Sequence, residues 1–158
     1  MKLVTSRMVD ELIAQAGETK RLRTNYNMHE SLSDPVQRLF IAAGLSSYFR
    51  PHQHPGRSEF AIIIRGLFDV IIFDSQGMVT ERISAGPDTD IFALEIPADV
   101  YHTWIPMVEG SVFFEVKQGP YDPATSLLFA SWSPEEGSAR VKDFQAKLLA
   151  LRAGDRIA

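Results

Sequence analysis

Apolar residues recur with two different periods along this chain, and the changes of period divide it into a β-rich middle and two helical ends. Near the start, a stripe at helical spacing predicts a short amphipathic helix with Ser6 as its candidate cap and Gly17 placed to end it. The apolar positions of this stripe are Met8, Leu12, Ile13 and Ala16. We therefore expect one helix before the β-rich region.

From residue 36 to about residue 116 the chain consists of short apolar runs separated by turn formers. The runs are VQRLFIAA, SYFRPHQH, EFAIIIRG, LFDVIIFD, VTERIS, IFALEIP, YHTWIPM and SVFFEVKQG. Strands so short and closely spaced favour an antiparallel sandwich or barrel, because parallel strands need a helix between them. The sequence predicts an all-β core.

A second helix is predicted near the end of the chain. Ser133, Pro134 and Glu136 form a pattern suited to a helix start. An apolar stripe follows, and Gly154 is placed to end the helix. The stripe consists of Val141, Phe144, Leu148 and Leu151.

The length of 158 residues suits one domain. Within it we expect a helix and strand extension over 1–35, a β-barrel core over 36–120 and a C-terminal segment with a helix over 121–158. The content of 45% hydrophobic and 23% charged residues is typical of a folded soluble protein.

Charge and cysteine content narrow the function classes. A net charge of -4 disfavours nucleic-acid and anionic-membrane binding, which need a basic footprint. The absence of cysteine excludes disulfides, thiolate nucleophiles and iron-sulfur clusters. No leader or apolar run long enough to span a membrane is present, so we expect a cytoplasmic protein.

Two histidines two residues apart form the first candidate metal motif. On a strand His52 and His54 point the same way, and Glu59 follows after a turn. His102 begins a later strand. Antiparallel neighbours are only about 4.8 Å apart, so three strands can direct these groups at one ion. Alone, the histidine pair is equally compatible with polar residues at the mouth of a loop.

These residues resemble the first cupin motif. That motif has a glycine, the HxH pair, a glutamate and, six residues later, a second glycine. His52, His54, Glu59 and Gly66 fit this spacing, whereas Gly44 is too far from His52 to be the first glycine.

The second cupin motif is matched in part. Pro97 and His102 have its spacing, while Ile91, Asp99 and Pro106 stand where two glycines and an asparagine are expected. The departures concern turns and a non-ligand. The resemblance implies a cupin fold, that is, a double-stranded β-helix or jelly-roll barrel, with short terminal helices.

Residues 1–135 more specifically resemble the WbuC-type cupin-fold metalloproteins, some of which are found in bacterial polysaccharide gene clusters. Segments that carry this resemblance include RLRTNYNMHESLSDPVQRLF, IPADVYHTW and FEVKQGPYDPAT. Three imidazoles and one carboxylate leave open positions on a divalent ion. Fe(II), Mn(II), Ni(II) or Co(II) would suit such a site, and Zn(II) at lower coordination.

Alternating polar residues form a second candidate feature. Arg21, Arg23, Asn25, Asn27 and His29 would share one face of a strand. The pattern is compatible with a solvated edge strand. It is equally compatible with a barrel mouth where guanidinium and amide groups bind a substrate and His29 moves a proton. The WbuC-type proteins carry the same run, which favours the second interpretation.

Other candidates are supported by strand parity alone. Arg50 and Tyr48 share parity with the histidine pair, so that Arg50 would contact the substrate or form a buried salt bridge. Glu115 and Lys117 share one face of a strand. Glu115 would transfer a proton and Lys117 would bind substrate, or the two would form an exposed ion pair. Tyr121 follows in a turn as a further binding candidate. Trp104 would stack on a sugar or fill the core.

The sequence leaves two functions open. One is a metal-dependent enzyme acting on a small polar or anionic molecule such as a nucleotide sugar, either as an isomerase, epimerase or lyase or as an iron-dependent oxygenase. The other is a non-catalytic sugar or metal sensor. Strands such as FAIIIRG are apolar on both faces, so that one face meets the barrel interior and the other a terminal helix, a second sheet or another chain. The cupin resemblance favours another chain, that is, a homodimer.

Overall fold

The computed structural model describes residues 1–157, which form two helices and ten strands. The helices are α1 (Ser6–Glu18) and α2 (Val141–Ala150). The strands are β1 (Arg23–Asn27), β2 (Val36–Ala43), β3 (His52–Gln53), β4 (Glu59–Arg65), β5 (Phe68–Phe73), β6 (Val79–Ala85), β7 (Ala93–Ile96), β8 (Tyr101–Pro106), β9 (Ser111–Gln118) and β10 (Leu128–Phe129).

The strands form two five-stranded antiparallel sheets. One has the order β1-β2-β9-β4-β7 and the other β10-β3-β8-β5-β6. Phe68 and Trp104 of the second sheet pack against Phe113 of the first, which places the main core between the sheets. The all-β fold expected from the short apolar runs is confirmed.

Helix α1 covers the outer face of the first sheet. Its buried Val9, Leu12 and Ala16 pack on Phe40 and Val112 of β2 and β9. The helix is capped by Thr5, whose side chain accepts from the Met8 amide, and continues one residue beyond Gly17. Ser6, the expected cap, is therefore the first residue of the helix, and the predicted end was displaced by one residue.

Helix α2 packs on the second sheet through Phe144 and Leu148. The prediction that it begins at Ser133 was wrong. The Ser133 hydroxyl instead donates to the Ala130 carbonyl and accepts from Arg50, and the Pro134 carbonyl accepts from the Tyr48 hydroxyl. These contacts hold the segment in an irregular path, so the helix starts at Val141.

The predicted strand over residues 47–54 is reduced to the two residues of β3. Helix α2 also ends earlier than predicted, at Ala150, because Leu151 adopts extended backbone angles. Gly154 lies in the following turn with φ of 92°. Within residues 1–157, no helix is both long and apolar enough to cross a membrane.

Candidate metal centre

Both sheets contribute to one cluster of ligand atoms. His52 of β3 lies opposite His102 of β8, His54 follows β3, and Glu59 is the first residue of β4 in the other sheet. One ligand atom from each of the four lies within 4.8 Å of the others. The structure thus brings together all four residues that the sequence nominated.

Backbone carbonyls fix the orientation of all three imidazoles. The Nδ1 atoms of His52, His54 and His102 lie 2.8, 3.0 and 3.0 Å from the carbonyl oxygens of Arg50, Ser126 and Val100. A carbonyl only accepts, so each Nδ1 must carry the proton. In the neutral rings each Nε2 therefore keeps a lone pair for a ligand at the centre.

The donor set fits a divalent cation. His54 Nε2 lies 2.8 Å from Glu59 Oε2, and His102 Nε2 and Glu59 Oε1 are buried without a hydrogen-bond partner among residues 1–157. With Nδ1 protonated, a neutral His54 places two acceptors face to face. A cation between them removes this repulsion and satisfies the orphaned atoms.

Electrostatics keep these ligands in their metal-binding forms. Burial lowers the pKa of both His52 and His102, for His52 with help from the other two imidazoles. Burial alone would raise the pKa of Glu59, but nearby positive charge and, when no metal is bound, a proton on His54 Nε2 that donates to Glu59 lower it well below its usual range. Neutral imidazoles and an ionised carboxylate are the forms that bind metal.

The cluster opens into a cavity of about 390 Å³, a volume suited to a small molecule. The apolar part of its wall consists of Ile41, Phe49, Trp104, Phe113, Leu127 and Phe129. The charged part consists, besides the ligands, of Arg21, Arg23, Arg50, Glu115, Lys117 and Glu136. Trp104 is 2% exposed and stacks on Phe113, so it serves the core and the cavity wall together.

Arg50 is an unneutralised cation in this wall. Its guanidinium donates to the Ser133 hydroxyl and carbonyl and lies 4.7 Å from the centre of the Phe129 ring. It forms no salt bridge with any carboxylate of residues 1–157, contrary to one of the two predicted alternatives. These contacts orient the guanidinium while leaving its charge available to an anion.

Glu115 and Lys117 form a buried ion pair, not an exposed one. Burial and the Glu59 charge raise the pKa of Glu115, although Lys117 opposes the shift. Burial would lower the pKa of Lys117, but the two carboxylates outweigh it and raise that pKa. The pair places a carboxyl with a raised pKa in the wall of the metal cavity.

The alternating polar run is divided between two cavities. Arg21 and Arg23 line the metal cavity, whereas Asn25, Asn27 and His29 line an adjoining cavity of about 270 Å³. Tyr121 also lines the adjoining cavity, and Lys117 and Leu127 border both.

The five polar residues do not share one strand face, because strand β1 is shorter at both ends than the alternating run in the sequence. Leu22 has φ of 51°, which breaks the strand before β1, and His29 lies beyond its end. There Nδ1 of His29 is held by the backbone of Arg38, while its Nε2 is buried without a partner among the described residues. His29 is therefore placed in the adjoining cavity.

Sequence reasoning missed Glu136 as a cavity residue. Its carboxylate lies 2.9 Å from Arg21 Nε and 2.8 Å from an Arg23 amino nitrogen. Tyr48 was expected to share the face of His52, but the chain between them is not a strand, and its hydroxyl reaches Pro134 instead. The alternation of polar and apolar residues predicts neither the contact of Glu136 with the arginines nor that of Tyr48 with Pro134.

Comparison with solved structures shows the fold. The chain is similar to KdgF from Halomonas sp., with 16% identity and a TM-score of 0.50 over 65% of this chain and 82% of that one. It is also similar to the capsular polysaccharide assembling protein CapF from Staphylococcus aureus, with 15% identity and a TM-score of 0.57 over 70% of this chain. A third similar structure is Lactobacillus farciminis oxalate decarboxylase, with 14% identity and a TM-score of 0.54 over 71% of this chain.

The matched region covers only 32% of CapF and 32% of the oxalate decarboxylase. All three neighbours are cupin-fold proteins, so the cupin fold implied by the sequence motifs is confirmed. No curated protein matches the chain. A family profile matches residues 4–85, just over half of the chain. The protein belongs to the family described as Domain of unknown function (DUF6016).

Proposed function

We propose that this protein is a metal-dependent cupin enzyme acting on a small anionic molecule. The observation that carries the proposal is that Arg50, free of any carboxylate partner among residues 1–157, lines the cavity into which His52, His54 and Glu59 of the four-ligand cluster open. A divalent ion held by His52, His54, Glu59 and His102 would supply a Lewis acid for an oxygen of the substrate.

Each charged wall residue has a proposed task. The guanidinium of Arg50 binds a carboxylate or phosphate of the substrate. Glu115, whose pKa is raised, donates or accepts a proton, and the Lys117 ammonium balances the negative charge of the ionised Glu115 carboxylate. These roles require Glu115 and Lys117 to border the metal cavity, and both residues do.

The adjoining cavity supports a role for the neutral polar residues. Asn25, Asn27 and Tyr121 offer amide and hydroxyl groups, and His29 offers a ring nitrogen that has no partner within residues 1–157. Such groups suit the hydroxyls of a sugar-like portion of the substrate. In that arrangement His29 binds substrate, and Glu115 is the better placed proton carrier.

The narrower proposal follows the sequence resemblance. The segments that resemble the WbuC-type proteins favour a role in bacterial polysaccharide synthesis, as an isomerase, epimerase or lyase on a sugar or nucleotide sugar. An Fe(II)-dependent oxygenase suits the same ligand set. The capsular polysaccharide assembly for which CapF is named is a property of that protein, which shares the fold with this chain at 15% identity.

Metal analysis tests the proposal first. Protein purified without added metal should contain close to one divalent ion per chain, while the His52→Ala and His102→Ala variants should lose most of it. Equal trace amounts in all three proteins would exclude the metal centre. The identity of the ion then selects oxygen consumption assays for iron, or sugar-phosphate and nucleotide-sugar assays for other metals.

Turnover separates the enzyme from the sensor. Saturable binding of a sugar phosphate that weakens in Arg50→Met, without conversion by any metal-loaded form, would favour a non-catalytic binding protein. Conversion that is lost in Glu115→Gln while binding is retained would favour the enzyme.

A cytoplasmic location stays a prediction.

We also propose that the protein forms a homodimer. Phe60, Ile64 and Phe92 are 41%, 41% and 57% exposed around β4, on a part of the first sheet beyond the residues that α1 covers. An apolar sheet face of this kind suits a second copy of the same chain. Sedimentation should show a dimer that dissociates in Phe60→Asp, whereas a monomeric wild type would refute it.

A further inference from the structure

Glu136 occupies a position on the cavity wall that a ligand carboxylate would suit. The two amino nitrogens of Arg23 lie 2.8 and 2.9 Å from its two carboxylate oxygens, a bidentate geometry. Arg21 Nε adds a third contact at 2.9 Å. Two cations thus converge on one carboxylate beside the candidate metal centre.

We propose that Arg21 and Arg23 form a carboxylate-binding site for the substrate, which Glu136 fills until a ligand carboxylate displaces it. This inference rests on the proposed function in that the ligand shares the metal cavity. It narrows the substrate to molecules with a carboxylate at one end and a second anionic or chelating group that reaches Arg50 or the metal. Glu136 then acts as an internal competitor.

Arg23 keeps its place without Glu136. One amino nitrogen also donates to the Tyr48 carbonyl at 2.7 Å, and the guanidinium lies 4.8 Å from the centre of the Phe49 ring. The Arg23 side chain is only 11% exposed. A guanidinium fixed by these contacts remains oriented for an incoming carboxylate.

Glu136, in contrast, has room to leave. Its side chain is 34% exposed, and among residues 1–157 its carboxylate accepts hydrogen bonds only from the two arginines. Gly137 follows with φ of 82° and open space around it. Glu136 also borders a second cavity of about 790 Å³, where Lys20 and Lys142 offer positive charge to a displaced carboxylate.

The segment that carries Glu136 lies outside both sheets. Ser133 and Pro134 are held by Arg50 and Tyr48, whereas residues 135–140 lie between that anchor and α2. Movement of Glu136 therefore requires no change in the sheets.

The test compares Glu136→Gln with Glu135→Gln in metal-loaded protein. Glu135 is an exposed neighbouring carboxylate that forms no salt bridge among residues 1–157. The probes are dicarboxylates from malonate to adipate, with acetate as the single-carboxylate probe, and affinity is measured by calorimetry. For at least one dicarboxylate, Glu136→Gln should bind roughly tenfold more tightly, as expected if about a tenth of the wild-type sites are open.

The Glu135→Gln control should bind dicarboxylates with the affinity of wild type. Adding Arg23→Met to Glu136→Gln should abolish the gain in dicarboxylate affinity. Dicarboxylate affinity that is unchanged or lower in Glu136→Gln, or no dicarboxylate binding in any variant, would overturn the inference. In wild type, a bound dicarboxylate should increase deuterium uptake over residues 135–140; unchanged uptake would count against displacement. Metal content and the Arg50→Met effect report on the proposed function separately.

Discussion

His52 lies directly opposite His102 in the pairing of β3 with β8, and their ring centroids are 4.5 Å apart. Strand β3 has only two residues and is held by short pairings with β8 and β10. A metal bound by both histidines, together with Glu59 of the other sheet, would therefore join weakly paired segments to the core.

Metal binding should stabilise the folded protein through these ligands. Metal at a hundredfold its dissociation constant adds about 2.7 kcal/mol to the free energy of unfolding. For a domain of this size, that raises the melting temperature by roughly 5–11 °C. Calorimetry with and without chelator should show the shift in wild type and its loss in His102→Ala.

His29→Gln is the matched control for this measurement. His29 is also a buried histidine, but it lies in the adjoining cavity, so its variant should keep the full shift. A metal-dependent shift that survives in His102→Ala would place the stabilising ion elsewhere.

The ligands were predictable because their geometry is local. His52 and His54 share a face by strand parity, and Glu59 follows them after a short turn. His102 required the spacing of the second motif, since the pairing of β3 with β8 is not encoded in either segment alone. The burial of His54, Glu59 and His102, and the partial burial of His52, depend on how the two sheets meet.

The buried pair of Glu115 and Lys117 should show strong coupling. Removing one partner leaves the other charge buried, so Glu115→Gln and Lys117→Met should each cost about 3–5 kcal/mol of stability. The double variant should cost clearly less than the sum. Urea unfolding of the four proteins gives the coupling energy.

The exposed pair of Arg7 and Glu11 on α1 is the matched control. Its side chains are 88% and 57% exposed, so solvent screens the pair and the same cycle should give a coupling energy far smaller than that of the buried pair. Additive effects at Glu115 and Lys117, within about 0.5 kcal/mol, would contradict the buried pairing.

The core between the sheets should depend strongly on Phe68. This side chain is 0% exposed, with its ring 5.2 Å from that of Phe113 and 5.7 Å from that of Trp104. Phe68→Ala should cost about 3–5 kcal/mol. Leu149→Ala, at a position 50% exposed on α2 and outside the proposed dimer face, should change stability by less than about 0.5 kcal/mol in the same denaturation experiment.

Phe68→Leu keeps the comparison measurable if the alanine variant does not fold. Equal losses at Phe68 and Leu149 would contradict the packing of Phe68 between the two sheets.

The contacts that sequence could not supply join segments far apart in the chain. Glu136 meets Arg23 across 113 positions, through a loop with no period to analyse. The path of that loop depends on Tyr48 and Arg50, whose own segment lacks the strand geometry that parity assumes. Similarly, the single residue Leu22 in a left-handed conformation removes Arg21 from the strand.

Gly66, the second glycine of the first cupin motif, should tolerate no side chain. Its φ is 76°, and an added Cβ would lie 2.9 Å from the Ser111 Cα and Cβ atoms. Ser111 cannot retreat easily because it is fully buried and its hydroxyl donates to the Val108 carbonyl. Gly66→Ala therefore combines a backbone penalty of about 1–2 kcal/mol with a steric cost of about 1–3 kcal/mol.

Gly56 separates these two costs. Its φ is 66°, close to that of Gly66, but nothing lies within 4 Å of an added Cβ. Gly56→Ala should therefore show only the backbone penalty of about 1–2 kcal/mol. The two free energies of unfolding, measured in urea on metal-loaded protein, should differ by the steric cost alone. Equal losses would mean that Ser111 moves aside, and that the cupin glycine is required here for its backbone angles and not for close contact between β9 and the turn before β5.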